Sequence, residues 1–289
     1  METEDSGMDR QMTPGSVVAG LDGSEGSLLA LDWAIDMALV EARPLHLVHA
    51  HGRHHAHAAG TRILTLARER AAVVGPGLRV TTADVSGSGE SALIAASHRA
   101  ALVCIGARGK GGAITSVLGS TARAVTASAR CPIAVVPAAP VGRERSRRVV
   151  VGVDETPGCH DAIGYAFSQA DVRGLRLTAV HGWHPKHRVD FAFSGSPAAV
   201  WQQEVGNEEA ALAESLAGWS QKYPDVELNR VSINKPAAAA ILALADDADL
   251  VVLGSRHPRP SPDLVGSPVI RRVLHGSFCP VVVVPQVAD

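Results

Sequence analysis

The stretch Val17-Val-Ala-Gly-Leu-Asp22 is answered by Val149-Val-Val-Gly-Val-Asp154, both reading V-V-x-G-x-D, with the two aspartates 132 residues apart. The same offset of 132 relates His49 in LHLVHA to His181 in LTAVHG. Further along, Cys131-Pro132 is answered by Cys279-Pro280 at an offset of 148. A chain that repeats itself in this order builds one supersecondary pattern twice. The change of offset puts 16 extra residues into the second copy, between its second strand and its fourth, around 183–226 where Pro, His and Trp concentrate. The sequence thus divides into a flexible tail (1–14), a first domain (15–140), the Arg-rich linker VGRERSRR (141–148) and a second domain (149–289).

Within each copy, short apolar runs alternate with helical patterns. In the first copy, strands are expected at Ser16–Leu21, Leu45–Ala50, Leu78–Val85, Leu102–Ile105 and Ile133–Val136. Between the first two, a helix starting near Ser24 carries Leu29, Trp33 and Met37 at the spacing of one buried face. The matching helix of the second copy opens on Thr156-Pro157, an N-cap residue followed by proline at the first helical position. All-apolar strands such as Val281-Val-Val-Val284 suit a parallel sheet covered on both faces. Strands joined through helices imply right-handed crossovers, so the expected fold is α/β, with two tandem five-stranded parallel-sheet sandwiches. In such sheets ligands bind at the carboxyl ends of the strands, where the strand order reverses. Asp22 falls at such an end, and so does the segment behind Leu102–Ile105.

That segment, residues 106–121, reads GARGKGGAITSVLGST. It is not a Walker A loop, because Gly112 stands where that motif needs lysine. Gly106 and Gly109 let the backbone approach a bulky ligand without a Cβ clash. Gly119-Ser120, followed by Thr121, opens a helix whose unpaired N–H groups and positive dipole end suit a phosphate. Lys110 adds a mobile counter-charge. The competing reading is a glycine-rich loop followed by an ordinary helix cap, and spacing alone leaves both open.

Composition narrows the partners. A net charge of −2 with no long basic run argues against a nucleic-acid surface. No apolar run reaches the length of a membrane span, and METEDSGMDRQMTP at the start has no apolar core of a signal peptide or anchor. Four cysteines in 289 residues do not form a disulfide framework, so a cytoplasmic protein is expected.

The pattern G-x-x-G, nine residues, G-[ST] formed by Gly106, Gly109, Gly119 and Ser120 resembles the ATP-binding signature of the universal stress protein family. The order of parts is similar over nearly the whole chain: a first strand ending in aspartate, a second ending in His, the glycine loop, then a Cys-Pro strand. Two fused copies resemble the tandem members of that family. The resemblance implies an adenine-nucleotide α-hydrolase-like fold whose halves pair, related by a pseudo-twofold, through their last strands. It implies ATP, with Mg, as ligand: Asp22 near the ribose or adenine, the backbone around Ala50 at the base, and the glycine loop with Ser120 on the phosphates. It also makes a homodimer and a regulatory protein partner expectations. The second copy departs from the signature. His257 stands at the place of Gly109, prolines occupy 258, 260 and 262, and only eight residues precede Gly266-Ser267. Asp154, Gly254, Gly266 and Ser267 therefore form an altered site, and asymmetry between the halves is expected.

Other features weigh less. HAHGRHHAH (49–57) holds five histidines, and imidazole suits zinc, nickel and copper; with no Cys or carboxylate beside it in sequence, a solvated loop is the preferred reading. His49 and His181, at matching strand ends, are expected to hydrogen-bond within the core. Cys104, Cys131 and Cys279 read as structural, and Cys159 as the more exposed thiol open to oxidation. No hydrolase elbow, zinc-protease motif or paired acid and base is present, so no catalytic residue is assigned. The reading is an ATP-binding regulatory module of the stress response. The alternatives are a nucleotide-independent interaction scaffold and an adenylylating or slowly ATP-hydrolysing enzyme.

Overall fold

The computed structural model describes residues 12–52, 57–109, 118–138, 145–154, 156–184, 197–255 and 267–286. The first half runs β1 (Val17–Leu21), α1 (Glu25–Val40), β2 (Leu45–His51), α2 (His57–Val74), β3 (Val80–Ser86), α3 (Gly89–Ala96), β4 (Leu102–Gly106), α4 (Ser120–Ser128) and β5 (Ile133–Val136). The second repeats it as β6 (Arg148–Gly152), α5 (Pro157–Arg173), β7 (Arg176–Gly182), α6 (Pro197–Lys222), β8 (Leu228–Ile233), α7 (Ala237–Ala245), β9 (Leu250–Gly254), α8 (Pro268–Gly276) and β10 (Val281–Val284).

The ten strands of the described residues form one sheet in the order β3-β2-β1-β4-β5-β10-β9-β6-β7-β8. Within each half the pairings are parallel, and the strand order reverses between β1 and β4 and between β6 and β9. The halves meet where β10 runs antiparallel to β5, pairing Val281 with Val135, Val282 with Ala134 and Val283 with Ile133. The pairing of the two last strands is thus within the chain, and it joins the two expected five-stranded halves into one continuous sheet.

Alternate residues of the central strands enter two cores. Val17, Ala19 and Leu21 point to the side of α1, α2, α5 and α6. Val18, Val103 and Ile133 point to the side of α3, α4, α7 and α8. Both cores run through both halves, which is why the strands are apolar on both faces. Contacts between α1 and α5 add to this: Gln169 Nε2 donates to Glu41 Oε1 at 2.7 Å and Arg173 Nη2 donates to Asp36 Oδ2 at 2.7 Å.

Several sequence expectations shift in detail. The buried face of α1 is Ser27, Ala30, Leu31, Ala34, Ile35, Met37 and Ala38, whereas Leu29 and Trp33 lie at its margin. Small residues at i, i+3 and i+4 let the helix sit close to the sheet, and the larger side chains rim that contact. Of the tail expected over 1–14, Met12 packs into the core at 4% exposure, while residues 1–11 lie outside the described residues. At the other joint, Arg145 Nη1 donates to the Ala248 carbonyl at 2.6 Å and Arg148 belongs to β6, so this end of the linker is part of the second half.

The 16-residue insertion divides evenly. The offset between halves is 132 at His49 and His181, 140 at the starts of α2 and α6, and 148 at their ends. Half of the extra length therefore lengthens α6 to 26 residues, against 18 for α2. The longer helix lays Trp219 over Gly164 of α5 and stacks it with Phe167 and Tyr223 at centroid distances of 6.5 Å and 6.4 Å. A Cβ on Gly164 would strike the Trp219 ring. Gly164→Ala should therefore destabilise the protein by about 1–3 kcal/mol, although alanine is the better helix former by about 1 kcal/mol. Denaturant unfolding of the two proteins checks the sign.

On β2, His46 is fully buried, with Nδ1 2.8 Å from Thr81 Oγ1. Burial disfavours its charged form and lowers its pKa from 6.5 to about 4. The unfolded chain then takes up a proton that the folded chain refuses as pH falls through that window. The stability His46 supports is complete above pH 6.5 and decreases toward pH 4, by about 3 kcal/mol in all. Unfolding free energies of wild type and His46→Val, compared between pH 7 and pH 4, should show a shallower pH slope in the variant.

Candidate functional site

β1 ends at Leu21 and the chain enters α1 through Asp22-Gly23-Ser24. Asp22 Oδ1 accepts from the Ser24 amide at 2.9 Å and from its hydroxyl at 2.5 Å. The Ser24 hydroxyl oxygen in turn accepts from the Ser27 amide at 3.2 Å, capping α1. Gly23 turns the corner with φ at 77°, in the region glycine favours. A carboxylate is thereby held at the carboxyl end of β1, beside the switch between β1 and β4.

The end of β4 lies against this corner. A Cβ on Gly106 would come within 2.6 Å of the Gly26 backbone, and one on Gly26 would strike the Arg108 carbonyl oxygen. The room that Gly106 makes is filled by α1, a contact of backbone on backbone. Gly109 serves differently: a Cβ there would sit 2.5 Å from Asp22 Oδ2, so the missing side chain lets the loop pass the carboxylate. Gly119 completes the group, donating its N–H to the Ala107 carbonyl at 2.9 Å. The structure thus brings together Asp22, Gly106, Gly109 and Gly119. Ser120 and Thr121 form the first turn of α4, with Ser120 exposed. Ala50, partly buried, lies next to the last residue of β2, in register with Val85. Lys110 lies outside the described residues.

α4 begins on Gly119 with no side-chain cap. Its first-turn amides receive no acceptor from the residue before them, and the positive end of the helix dipole stands beside the Asp22 corner. Ser24 and Gly26, which build that corner, were not singled out in the sequence; the serine two residues after Asp22, and glycine at the second helical position, are the signals that could have found them.

The second half repeats the corner and changes the helix start. Asp154 Oδ1 accepts from the Thr156 amide at 3.0 Å and from the Thr156 hydroxyl. Thr156 is the N-cap residue with proline after it, but its hydroxyl turns to Asp154 and makes no cap hydrogen bond to α5. The strands β4 and β9 end 148 residues apart, and α4 and α8 begin 148 apart. The two loops are therefore equal in length, so that Ser267-Pro268 rather than Gly266-Ser267 matches Gly119-Ser120. Ser267 takes the place of Gly119 and accepts from the Ile270 amide at 3.4 Å, and Pro268, without an N–H, takes the place of Ser120. Gly266, His257 and the prolines at 258, 260 and 262 lie outside the described residues.

A cavity of about 100 Å³ opens at the β6–β9 switch of this half, lined among others by Gly152, Asp154, Gly182, Gly254 and Ser267. The glycine of V-V-x-G-x-D has the same packing reason in both halves. A Cβ on Gly20 would meet Leu93 Cδ1 at 2.8 Å, and one on Gly152 would meet Ile241 Cδ1 at 2.8 Å.

His49 Nδ1 lies 2.8 Å from Asp84 Oδ1 on β3. His181 lies between two acceptors, with Nδ1 2.9 Å from the Val153 carbonyl oxygen and Nε2 2.9 Å from Glu208 Oε2. The histidine-rich stretch begins as strand rather than loop, since β2 continues through His51, and folding brings it the carboxylate of Asp84. Residues 53–56 lie outside the described residues. Among the described residues, no group of three or more His, Cys, Asp or Glu is arranged to hold a metal. Cys159 is buried at 4% exposure, which corrects the expectation of an exposed thiol. It lies beneath the Asp154 corner, accepting from the Asp154 amide at 3.4 Å. Cys104, Cys131 and Cys279 are also buried, and burial pushes the Cys131 thiol up to about 12.

Among the described residues, no helix is long and apolar enough to cross a membrane. The chain is 30% identical over 312 aligned positions to a universal stress protein of Mycobacterium tuberculosis strain H37Rv, covering 96% of this chain and 98% of the relative. A second universal stress protein of that strain is 28% identical over 265 positions, covering 83% and 86%. The fold is similar to the crystal structure of a universal stress protein from Archaeoglobus fulgidus DSM 4304, with a TM-score of 0.66 at 17% identity, covering 95% of this chain and 97% of that one. It is also similar to a functionally unknown protein from Pseudomonas aeruginosa PAO1, with a TM-score of 0.67 at 17% identity, covering 95% and 93%. The model of the Universal stress protein family matches residues 15–137 and again 145–285, so this chain belongs to that family and carries its domain twice.

Proposed function

We propose that the protein is an ATP-binding regulatory protein of the stress response, holding the nucleotide, with Mg, in its first half as a ligand-sensing switch. The observation that carries this reading is the difference between the two helix starts. In the first half Gly119 leaves the amides of α4 without a side-chain acceptor, beside Asp22 and Gly109. In the second, Ser267 takes the Ile270 amide and Pro268 removes another donor. An anion gains from backbone N–H groups that nothing else satisfies, so the phosphates belong to the first half. Asp22 then faces the ribose or adenine and Ala50 the base, with Gly109, Lys110, Gly119, Ser120 and Thr121 around the phosphates and Gly106 seating the loop against α1. The cavity with Asp154, Gly254 and Ser267 supports a second reading, in which the other half takes a nucleoside moiety with weaker hold on its phosphates. No catalytic residue is part of the proposal; binding itself acts, since a ligand at about 100 times its dissociation constant stabilises the fold by roughly 2.7 kcal/mol.

Denaturing freshly purified protein and measuring released nucleotide by chromatography should give close to one ATP per chain. Two would mean that the second half binds equally well. None, with no uptake of added ATP and magnesium, would leave an interaction scaffold. The two loop glycines should separate. Gly109→Val pushes against Asp22 and should abolish ATP binding while thermal unfolding stays close to wild type. Gly106→Ala drives a methyl into the α1 backbone and should cost about 1–3 kcal/mol of stability. Calorimetric titration and thermal melts of both variants read the difference.

A further inference from the structure

The two halves touch at the entrance to α4. The Leu118 amide, immediately before the Gly119 cap, donates to Nε2 of His275 at 3.4 Å. His275 is in the last turn of α8, in the other half of the chain. Its other ring nitrogen, Nδ1, lies 2.6 Å from the Arg271 carbonyl oxygen one turn back on the same helix. A carbonyl only accepts, so Nδ1 carries the proton and Nε2 presents its lone pair to Leu118. The helix thus fixes both the tautomer and the direction of the ring.

The contact runs one way. At the offset of 148 that relates α4 to α8, the counterpart of His275 is Ala127, which has no side-chain acceptor to offer the second half. Two further hydrogen bonds hold the same turn from within the first half: the Gly119 amide donates to the Ala107 carbonyl at 2.9 Å, and the Arg123 amide to the Gly119 carbonyl at 3.0 Å. His275 supplies the anchor from outside. Its side chain is exposed, and its bond to Leu118 adds a polar tie to a residue whose own side chain packs, partly buried, against the core.

We propose that His275 of the second half is a positioning residue for nucleotide phosphate binding by the first half. By holding Leu118 it sets where the first-turn amides of α4, at Ser120 and Thr121, stand relative to Asp22 and Gly109. The inference rests on the reading that the first half binds ATP. It gives the second half a role that does not depend on its own site being occupied. An anchor of this kind raises affinity by removing the cost of ordering the turn when the ligand arrives.

The test compares wild type, His275→Ala and His275→Gln, since the Gln side-chain carbonyl can accept the Leu118 N–H where alanine cannot. Calorimetric titration with ATP and magnesium should show roughly five-fold weaker binding in His275→Ala, the size of one modest hydrogen bond. His275→Gln should recover most of it, with all three melting temperatures alike. Equal affinity of His275→Ala and wild type, or equal loss in both variants, overturns the proposal. Amide hydrogen exchange at Leu118, measured without nucleotide, separates this result from the fate of the ATP reading. If wild type takes up no ATP, the ATP reading fails and the positioning of phosphates with it. Faster Leu118 exchange in His275→Ala than in wild type and His275→Gln then still establishes the anchor, and unchanged exchange removes that too.

Discussion

The antiparallel pairing of β5 with β10 is the constraint on which the remaining structure depends. It turns two parallel half-sheets into one sheet of ten strands and lets each of the two cores run through both halves. Because the seam reverses strand direction, the carboxyl ends of the two half-sheets point to opposite edges, and the corners at Asp22 and Asp154 are kept apart. The bonds between Arg173 and Asp36 and between Gln169 and Glu41 lie across the same division. Burying two apolar last strands against each other removes the edges most exposed to unwanted pairing.

Within that common frame the halves have diverged in chemistry while keeping backbone register. Asp22 with Ser24 and Asp154 with Thr156 are the same turn, down to the shared carboxylate oxygen. Gly20 and Gly152 admit the same kind of apolar side chain from the helix above. The difference falls on a few positions: Gly119 against Ser267, Ser120 against Pro268, Ala127 against His275. Each of these changes hydrogen-bonding capacity without moving the helix that carries it. A duplicated domain can in this way assign ligand binding to one copy and support to the other.

Much of this was legible in the sequence because repetition supplies its own control. The repeated V-V-x-G-x-D, the strand-end histidines and the two Cys-Pro pairs fix where strands begin, and apolarity on both faces fixes the sheet as buried. What was not legible depends on contacts between distant segments. Gly106 reads as ligand space in one dimension and proves to be where α1 crosses β4. The carboxylate next to His49 is Asp84, 35 residues away, brought there by strand pairing. Cys159 follows Pro-Gly, a sequence that suggests a surface turn, yet its thiol faces inward over Gly152. The pairing of Gly266-Ser267 with Gly119-Ser120 followed from matching letters, whereas helix registers align by hydrogen bonding and burial.

The intramolecular seam also bears on how this chain coexists with relatives that share its fold. A free single domain with such an apolar last strand would have to find a partner by diffusion, at a rate set by abundance. Here the two complementary edges are tied by one short joint, so each meets the other at an effective concentration of roughly millimolar order. Free copies at ordinary cellular levels cannot compete with that. The fused pair is insulated from mixing, and its composition is set by the gene rather than by mass action.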